Sequence, residues 1–314
     1  MKNSSPKILQ AALIIVMGAS CYGQTVSTPV VGFNKLSFPA GNSAQTATFV
    51  KPAVFSGDAT TVTSNSLSVS SATFGSLGPA AGLPTHYVKI TSGSMAGYVL
   101  DIISNTSTSV VVDGNLSTAG STPSFVVIPH VKVSDLFAGN SSLSPGSDTL
   151  TLFTTGGGSI VLLWVGVDSP TGWVDPVTES PKDGIVYPGE GFILTTQGSG
   201  TFTSQGVVET KPTVVPLYPG AVNLVSMASP SSGSKALQAI NLGTNLASGS
   251  DTAEFLSSNG ALSSAGVYLW AGGTDGFVDA VTEAPATSNV ASSQVLNVTV
   301  IQPTTWKVDP PLSQ

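Results

Sequence analysis

The sequence predicts an all-β protein built from two homologous antiparallel domains, sandwich-like or barrel-like, with a β-meander inserted into the first. Three observations lead to this prediction: a long segment occurs twice, charged residues are scarce, and short β-branched runs alternate with turns rich in Gly, Asn and Ser. With 314 residues, the chain is long enough for two domains that each bury a core. We expect a first β domain over residues 24–212, with its insertion at about residues 56–125, and a second β domain over residues 213–314.

The duplication is clearest in a segment that contains tryptophan. Residues 160–181 read IVLLWVGVDSPTGWVDPVTESP, and residues 267–285 read VYLWAGGTDGFVDAVTEAP. The identical pairs are Trp164 and Trp270, Gly166 and Gly272, Gly172 and Gly276, Asp175 and Asp279, Val177 and Val281, Thr178 and Thr282, Glu179 and Glu283, and Pro181 and Pro285. Gly-Ser-Asp-Thr also occurs twice, at 146–149 and 249–252. Such matches indicate an internal repeat, so residues around 130–200 and 236–303 should have the same strand order.

The composition favours strands and excludes one class of partner. Only 9% of the residues are charged, against about 25% in an average soluble protein, while 41% are hydrophobic. All ten basic residues are lysine, and the formal net charge is −7. Arginine is the side chain best suited to bidentate phosphate contacts, and a negative protein repels nucleic acid. We therefore expect no nucleic-acid partner.

The first 23 residues have the three parts of a secretory signal peptide. Lys2 and Lys7 precede an apolar run at residues 8–17, and small residues follow up to Gly23. The run is shorter than the roughly 20 apolar residues of a membrane-spanning helix, and we expect no such span after the signal is removed. We expect cleavage after Gly23 and an extracytoplasmic protein, either secreted or at the cell surface. In the alternative, the single cysteine, Cys21, carries a lipid anchor, although Gly18 stands where that motif usually has an aliphatic residue.

Other parts of the chain have strand or linker patterns. Residues 30–39 alternate as a strand and share an Asn-x-aliphatic-Ser pattern with residues 221–227, so we expect these two strands to be equivalent. The Pro-rich residues 211–220 predict an extended linker between the domains. Three β-branched runs separated by turns predict the inserted meander, where a partner-binding surface would commonly be added. These runs are residues 87–91, 98–103 and 110–113.

Several of these motifs together resemble a paralogous family of exported proteins of unknown function found in Verrucomicrobia. The motifs are the signal peptide followed by Gly-Phe-Asn at residues 32–34, Thr-Ser-Gly-x-x-Ala-Gly at 91–97, and the tryptophan strand with Pro-Gly-x-x-Phe-Ile at 188–193. The second copy departs from this pattern, since it has Phe277 in place of tryptophan and lacks Pro-Gly. The resemblance covers most of the chain after the signal. It implies the fold and export, and it supplies no catalytic residue.

The repeated carboxylates Asp175 and Glu179, with Asp279 and Glu283, are the main candidates for chemistry. On one strand, two groups four residues apart are separated by about 13 Å at about 3.3 Å per residue. Glycosidase carboxylates are about 5 to 9.5 Å apart, so catalysis is disfavoured. A calcium site needs about six to eight oxygen ligands, and each segment offers two carboxylates. We expect a structural turn in both copies, with an ion site as the alternative, and we assign no metal, no cofactor and no catalytic residue.

Histidine and tryptophan supply the remaining candidates. His86 and His130 have no ligands at metal-binding spacing, and we expect ordinary surface or core histidines. Trp164 and Trp270 lie in continuous apolar runs and should be buried at equivalent places. Trp173 and Phe277 follow glycine at the end of a loop, which makes them the better candidates for a ligand-binding surface.

These patterns do not disclose a specific activity. The expected function is that of a non-enzymatic exported protein of the cell envelope or the medium, with a binding or structural role and no cofactor. The alternative is an extracellular polysaccharide-binding module, and an enzyme ranks third. The expected partners are envelope polysaccharide or other surface proteins, and the sequence leaves the oligomeric state open. A well-formed acidic cleft would strengthen the enzymatic alternative.

Overall fold

The computed structural model of the chain describes residues 29–70, 73–140, 142–154, 156–230, 233–257 and 259–310. The signal peptide, its cleavage after Gly23 and the lipid anchor at Cys21 all lie outside the described residues. Helices are short throughout the described part, and none of them is long and apolar enough to cross a membrane.

The described chain is almost entirely strand, in three consecutive parts. The strands before and within the insertion are β1 (Val31–Phe38), β2 (Gly41–Thr46), β3 (Phe55–Asp58), β4 (Thr61–Val62), β5 (Ser66–Ser68), β6 (His86–Ile90), β7 (Val99–Asn105), β8 (Ser109–Val112) and β9 (Ser124–Pro129). The first copy continues with β10 (Val131–Lys132), a one-turn helix α1 (Val133–Leu136), β11 (Thr149–Phe153), β12 (Ser159–Trp164), β13 (Trp173–Val174), β14 (Ile185–Val186), β15 (Gly191–Thr196) and β16 (Gly200–Val207).

The second copy follows directly and adds two 3-10 helices, Leu237–Ala239 and Leu242–Asn245. Its strands are β17 (Thr213–Leu217), β18 (Asn223–Ser226), β19 (Ser234–Ala236), β20 (Thr252–Leu256), β21 (Ser264–Gly272), β22 (Gly276–Asp279), β23 (Asn289–Ala291), β24 (Val295–Thr299) and β25 (Thr304–Val308).

The first copy is a five-stranded antiparallel sheet completed by two ribbons of two strands. The sheet has the order β13-β12-β11-β15-β2, and the ribbons are β1-β16 and β10-β14. Alternation in β11 buries Leu150 and Leu152 on one face. They share a core with Phe192 of β15, Phe202 of β16 and Val186 of β14. Sheet and ribbons therefore enclose one hydrophobic core.

The second copy repeats this arrangement strand for strand. Its sheet has the order β22-β21-β20-β24-β18, and its ribbons are β17-β25 and β19-β23. Its core includes Phe255, Leu296 and Trp306. The prediction that the two halves have the same strand order is confirmed, and so is the all-β fold class.

The insertion in the first copy is larger than the predicted three-stranded meander. The three expected runs are β6, β7 and β8, and they are neighbours in a curled seven-stranded sheet of order β3-β9-β6-β7-β8-β5-β4. This sheet has a core of its own, which contains Leu67, Ile102 and Phe125. Its other face packs towards the two copies.

Two strand assignments made from sequence are wrong in detail. Residues 30–39 are not equivalent to residues 221–227. In the first sheet Ser43 of β2 pairs with Leu194 of β15, and at the same place in the second sheet Asn223 of β18 pairs with Val298 of β24. The counterpart of β18 is therefore β2, and β1 corresponds to β17. Residues 213–217, expected as part of a linker, form β17, where a two-stranded ribbon accommodates Pro216 opposite Thr305.

Candidate functional site

A cavity of about 660 Å³ lies where the insertion and the two copies meet. We call it the junction cavity. This volume is in the range of ordinary small-molecule sites. The insertion contributes residues 98–101 and Asp113, the first copy contributes residues 184–188 with Glu190, and the second copy contributes Tyr218 and residues 222–225. The cavity thus depends on all three parts of the fold.

The two faces of β7 explain how an acidic side chain comes to line this cavity. Successive side chains of a strand point to opposite faces. Ile102 is fully buried in the core of the insertion, while Val99 and Asp101 line the cavity. The same strand therefore stabilises the insertion on one face and supplies a carboxylate to the junction on the other.

Asp101 contacts two residues of the first copy. The hydroxyl of Tyr187 donates a hydrogen bond of 2.6 Å to Asp101 Oδ2. His130 Nε2 lies 3.0 Å from Asp101 Oδ1, and the buried imidazole also contacts the rings of Tyr87 and Tyr187 at centroid distances of 4.9 and 5.2 Å. Burial, together with the Asp101 carboxylate, raises the pKa of Tyr187 far above its usual range, so its phenol stays a donor. His130 is a core histidine, as expected, and its ring lies beside the Asp101 carboxylate.

Glu190 is the most strongly desolvated carboxylate whose pKa shift is resolved in the junction cavity. The surrounding protein desolvates it, yet its surface is only partly buried and it lines the cavity. Among the described residues, its carboxylate has no hydrogen-bond or ion-pair partner. Desolvation, with a smaller contribution from the Asp101 charge, raises the pKa of Glu190 to about 7. At neutral pH this group is present in both protonation states.

Asp113 stands at the mouth of the cavity. It is exposed, and its Oδ1 accepts a hydrogen bond of 2.9 Å from the backbone N–H of Asp101. Partial desolvation and the neighbouring Asp101 carboxylate raise its pKa above the usual value. The mouth is also bordered by Val222 and Thr154, which are exposed. Carboxylates thus stand both at the entrance and in the depth of the cavity.

A buried lysine fixes the insertion against the segment that joins the two copies. Lys89 of β6 is almost completely buried, and its ammonium group pairs with Glu209. It also donates to Thr213 Oγ1 at 2.8 Å and to the Lys211 carbonyl at 3.2 Å, so its three N–H groups have three acceptors. Desolvation lowers the pKa of Lys89, and Glu209 opposes that shift. Satisfied polar contacts of this kind set the position of one part of the fold against another.

Each repeated acidic segment is a turn in which the aspartate side chain accepts hydrogen bonds from backbone N–H groups. The N–H groups of Val177 and Thr178 donate to Asp175 Oδ1 at 3.0 and 3.1 Å, and Lys182 pairs with Oδ2 at 2.6 Å. The Lys182 contact and these N–H groups hold the pKa of the Asp175 carboxyl well below its usual range. Glu179 has a left-handed backbone with φ of 55° and an exposed side chain.

The second acidic turn repeats this geometry. Asp279 Oδ1 accepts hydrogen bonds from the N–H groups of Thr282 at 2.8 Å and Val281 at 3.0 Å, which lower the pKa of Asp279, and Glu283 has a φ of 57°. No group of three or more His, Cys, Asp or Glu side chains in the described part of the chain is arranged to hold a metal ion.

The aromatic residues of the tryptophan segments are placed differently from expectation. Trp173 is 0% exposed and Phe277 is 1% exposed, so the suggestion that they form a ligand surface is wrong. Trp173 is the first residue of the edge strand β13, and Phe277 is the second residue of the edge strand β22. Their rings pack against those of Trp164 and Trp270 at centroid distances of 5.2 and 5.0 Å. Trp164 is buried as predicted, whereas Trp270 is only partly buried.

Both glycines before these two aromatics have a positive φ, and Gly172 is also required by space. Gly172 has a φ of 74°, and a Cβ there would lie 2.2 Å from Cζ3 of Trp164. Gly276 has a φ of 65°, and its Cβ would lie 2.2 Å from Oε1 of Gln238. The sequence suggested that each of these aromatic residues ends an exposed loop. In the structure each lies at or near the start of a tightly packed strand.

The residues that line the junction cavity were not found by sequence reasoning. Asp101, Asp113, Glu190 and Tyr218 are far apart in the chain, and no spacing links them. The one local signal was Pro-Gly-Glu-Gly before β15, which places Glu190 next to a turn whose Pro-Gly the second copy lacks.

Comparison of the chain with protein-family models, with curated proteins and with solved structures found no match. The fold and the junction cavity therefore define the class on their own: an all-β protein of two equivalent copies and an inserted sheet that surround one acidic cavity. The resemblance to the Verrucomicrobia family stays an expectation.

Proposed function

We propose that the protein is a non-enzymatic exported protein of the cell envelope or the medium that binds a ligand in the junction cavity. The observation that carries this proposal is a cavity of about 660 Å³ with convergent carboxylates and tyrosines, enclosed by all three parts of the fold. A large cavity with a few polar groups is the usual form of a binding site. Export rests on the signal-peptide pattern of residues 1–23.

Polysaccharide binding is the second candidate, and the tyrosines of the cavity favour it. Tyr98, Tyr187 and Tyr218 line the cavity and are each half-buried, so part of every ring stays accessible. Aromatic faces and carboxylates are the side chains that contact the apolar faces and the hydroxyls of sugars. The tryptophans offer less, because Trp164, Trp173 and Trp306 are buried.

The test is calorimetric titration of the chain lacking residues 1–23 with a panel of soluble oligosaccharides of envelope polymers. Val222→Trp narrows the mouth of the cavity, because Val222 is exposed there and a larger side chain has room to turn inward. We expect this variant to bind at least about tenfold more weakly than the wild type. Val177→Trp is the matched control, since Val177 is an exposed valine on an acidic turn and does not line the cavity, and it should bind normally.

Three results would each contradict a part of the proposal. Binding that is insensitive to Val222→Trp would move the ligand away from the junction cavity. Release of new reducing ends from any bound oligosaccharide would replace the non-enzymatic role by hydrolysis, in which Glu190 would be the first candidate for a proton donor because its pKa is about 7. Detection of the protein only in the cytoplasmic fraction of the source cells would contradict export.

A further inference from the structure

The charges around the junction cavity all have one sign. Among the described residues that line it, Asp101, Asp113 and Glu190 are ionisable acids, and there is no lysine or histidine. The buried Lys89 turns its ammonium group away, towards Glu209 and Thr213. A ligand that enters the cavity therefore meets carboxylates without competing cations.

These carboxylates are incompletely compensated. Asp101 has Tyr187 and His130 as neighbours, and Asp113 accepts one backbone hydrogen bond, but Glu190 has no partner among the described residues. Their mutual repulsion contributes to the raised pKa values of both Asp113 and Glu190. A positive group in the cavity would remove this repulsion and would supply the partner that Glu190 lacks.

The aromatic lining suits the same kind of ligand. Tyr98, Tyr187 and Tyr218 border the cavity, and the face of a tyrosine ring attracts a cation when the two are within about 6 Å. Tyr218 is fixed by Asn223, whose Oδ1 accepts from the Tyr218 N–H at 2.9 Å and whose Nδ2 donates to the Tyr218 carbonyl at 3.0 Å. The buried Asn223 thus holds the backbone that carries one aromatic wall of the cavity.

We propose that the junction cavity binds a ligand that carries protonated amino groups, and that an amino-sugar oligomer with free amines is the form that matches its carboxylates and tyrosines. This inference rests on the proposed binding function and adds the charge of the ligand. Glu190 contacts an ammonium group in the depth of the cavity, and Asp113 contacts a second one at the mouth.

The test compares two trisaccharides of equal length, one of glucosamine and one of its neutral N-acetylated form, by calorimetry at pH 6. We expect the amine form to bind at least about tenfold more tightly. Glu190→Gln and Asp113→Asn should each weaken its binding about tenfold, the usual size of a lost charged contact. Glu179→Gln is the matched control, because Glu179 is exposed on an acidic turn, does not line the cavity, and should leave binding unchanged.

Proton release gives an independent readout. At pH 6 most of Glu190 is protonated, because its pKa is about 7, and an ammonium ligand would force it to ionise. Titration in buffers of different ionisation enthalpy should show close to one proton released per ligand in the wild type. The Glu190→Gln variant should release almost none.

The outcomes separate this inference from the proposed function. Equal binding of the two trisaccharides, abolished by Val222→Trp, would keep the cavity as a saccharide site and overturn the requirement for an amine. Failure of both the glucosamine trisaccharide and spermidine to bind would also overturn the inference. If the wider oligosaccharide panel then showed no binding either, the proposed function would fail with it.

Discussion

At the residue scale, Glu190 is a group whose position costs stability. Its pKa rises from 4.5 to about 7 when the chain folds, because the carboxylate leaves water and faces Asp101. Below pH 4.5 it is protonated in both the folded and the unfolded chain, so it has no effect. Between about pH 4.5 and pH 7 the folded state holds the extra proton, and the free energy of unfolding falls as the pH rises. Above pH 7 the full cost remains.

Glu190→Gln should therefore stabilise the protein in a pH-dependent manner. We expect the free energy of unfolding of the variant to exceed that of the wild type by up to about 3 kcal/mol at pH 8, since one unit of pKa corresponds to about 1.4 kcal/mol. Near pH 4 the two free energies should be equal. Thermal unfolding of both proteins across this pH range measures the difference. A constant difference at all pH values would show that the Glu190 carboxylate is solvated and does not face a desolvating cavity.

Asp148 and its counterpart Asp251 are buried aspartates whose role is local. Asp148 Oδ2 accepts from the Ser144 N–H at 2.8 Å, and Oδ1 accepts from the Gln197 N–H at 2.9 Å. Likewise, Asp251 Oδ2 accepts from the Ala247 N–H at 2.7 Å, and Oδ1 accepts from the Ile301 N–H at 2.9 Å. Each aspartate ties the start of one strand to the end of another, which explains why Gly-Ser-Asp-Thr occurs in both copies.

Asp148→Asn should destabilise the first copy by about 1–3 kcal/mol, because an amide has one acceptor oxygen and would leave one buried N–H unpaired. Chemical denaturation measures the loss. Asp168→Asn removes the same charge from an exposed loop and is the control. Equal stability of the two variants would mean that Asp148 is not needed for this connection.

At the element scale, the contacts of the acidic turns favour a structural role over calcium binding. Asp175 and Asp279 already use Oδ1 for two backbone N–H groups, and Asp175 Oδ2 is paired with Lys182. We expect thermal unfolding curves with millimolar calcium and with chelator to coincide. Asp175→Ala and Asp279→Ala should lower the melting temperature equally in both conditions, because they remove the turn contacts. A calcium-dependent rise that disappears in the double variant would restore the ion-site alternative; a ligand at about 100 times its Kd adds about 2.7 kcal/mol.

The elements that the sequence predicted best are those with a local signal. The Gly-Ser-Asp-Thr match and the repeated tryptophan segments located two pairs of equivalent strands, β11 with β20 and β12 with β21. The shared Asn-x-aliphatic-Ser pattern that begins at residues 34 and 223 was misleading, because three matched positions are too few to exclude coincidence. Trp173 was misjudged because glycine before an aromatic residue suggests a loop, whereas Gly172 lets Trp173 pack directly against Trp164.

The candidate site could not be predicted because its residues come from three separate parts of the chain. Asp101 lies in the insertion, Glu190 in the first copy and Tyr218 in the second. Their proximity depends on how the insertion docks, and docking depends on contacts such as Lys89 with Glu209 that have no local pattern. Composition revealed only that acids outnumber bases.

At the scale of the whole molecule, the insertion should be removable. Its first strand β3 pairs with its last strand β9, with Phe55 opposite Val127, so the chain enters and leaves at adjacent points. In the deletion variant, a short glycine turn replaces residues 56–125. Glu209→Gln is added because the deletion removes Lys89 and would leave the Glu209 carboxylate unpaired. We expect this variant to melt cooperatively. It should lose all ligand binding, because one wall of the junction cavity is gone. Calorimetry measures both properties, and loss of cooperative melting would contradict an independent insertion.

The pairing of the first and last strands of each copy has a consequence for the order in which the chain folds. In the first copy Val31 of β1 pairs with Val207 of β16, and in the second Thr213 of β17 pairs with Val308 of β25. Contacts this distant in sequence close large loops and make folding slow. The contacts of the seven-stranded insertion are more local. During synthesis the whole insertion is made before β16 and β25, which are the ribbon partners of β1 and β17. We therefore expect the insertion to fold before the first copy closes around it.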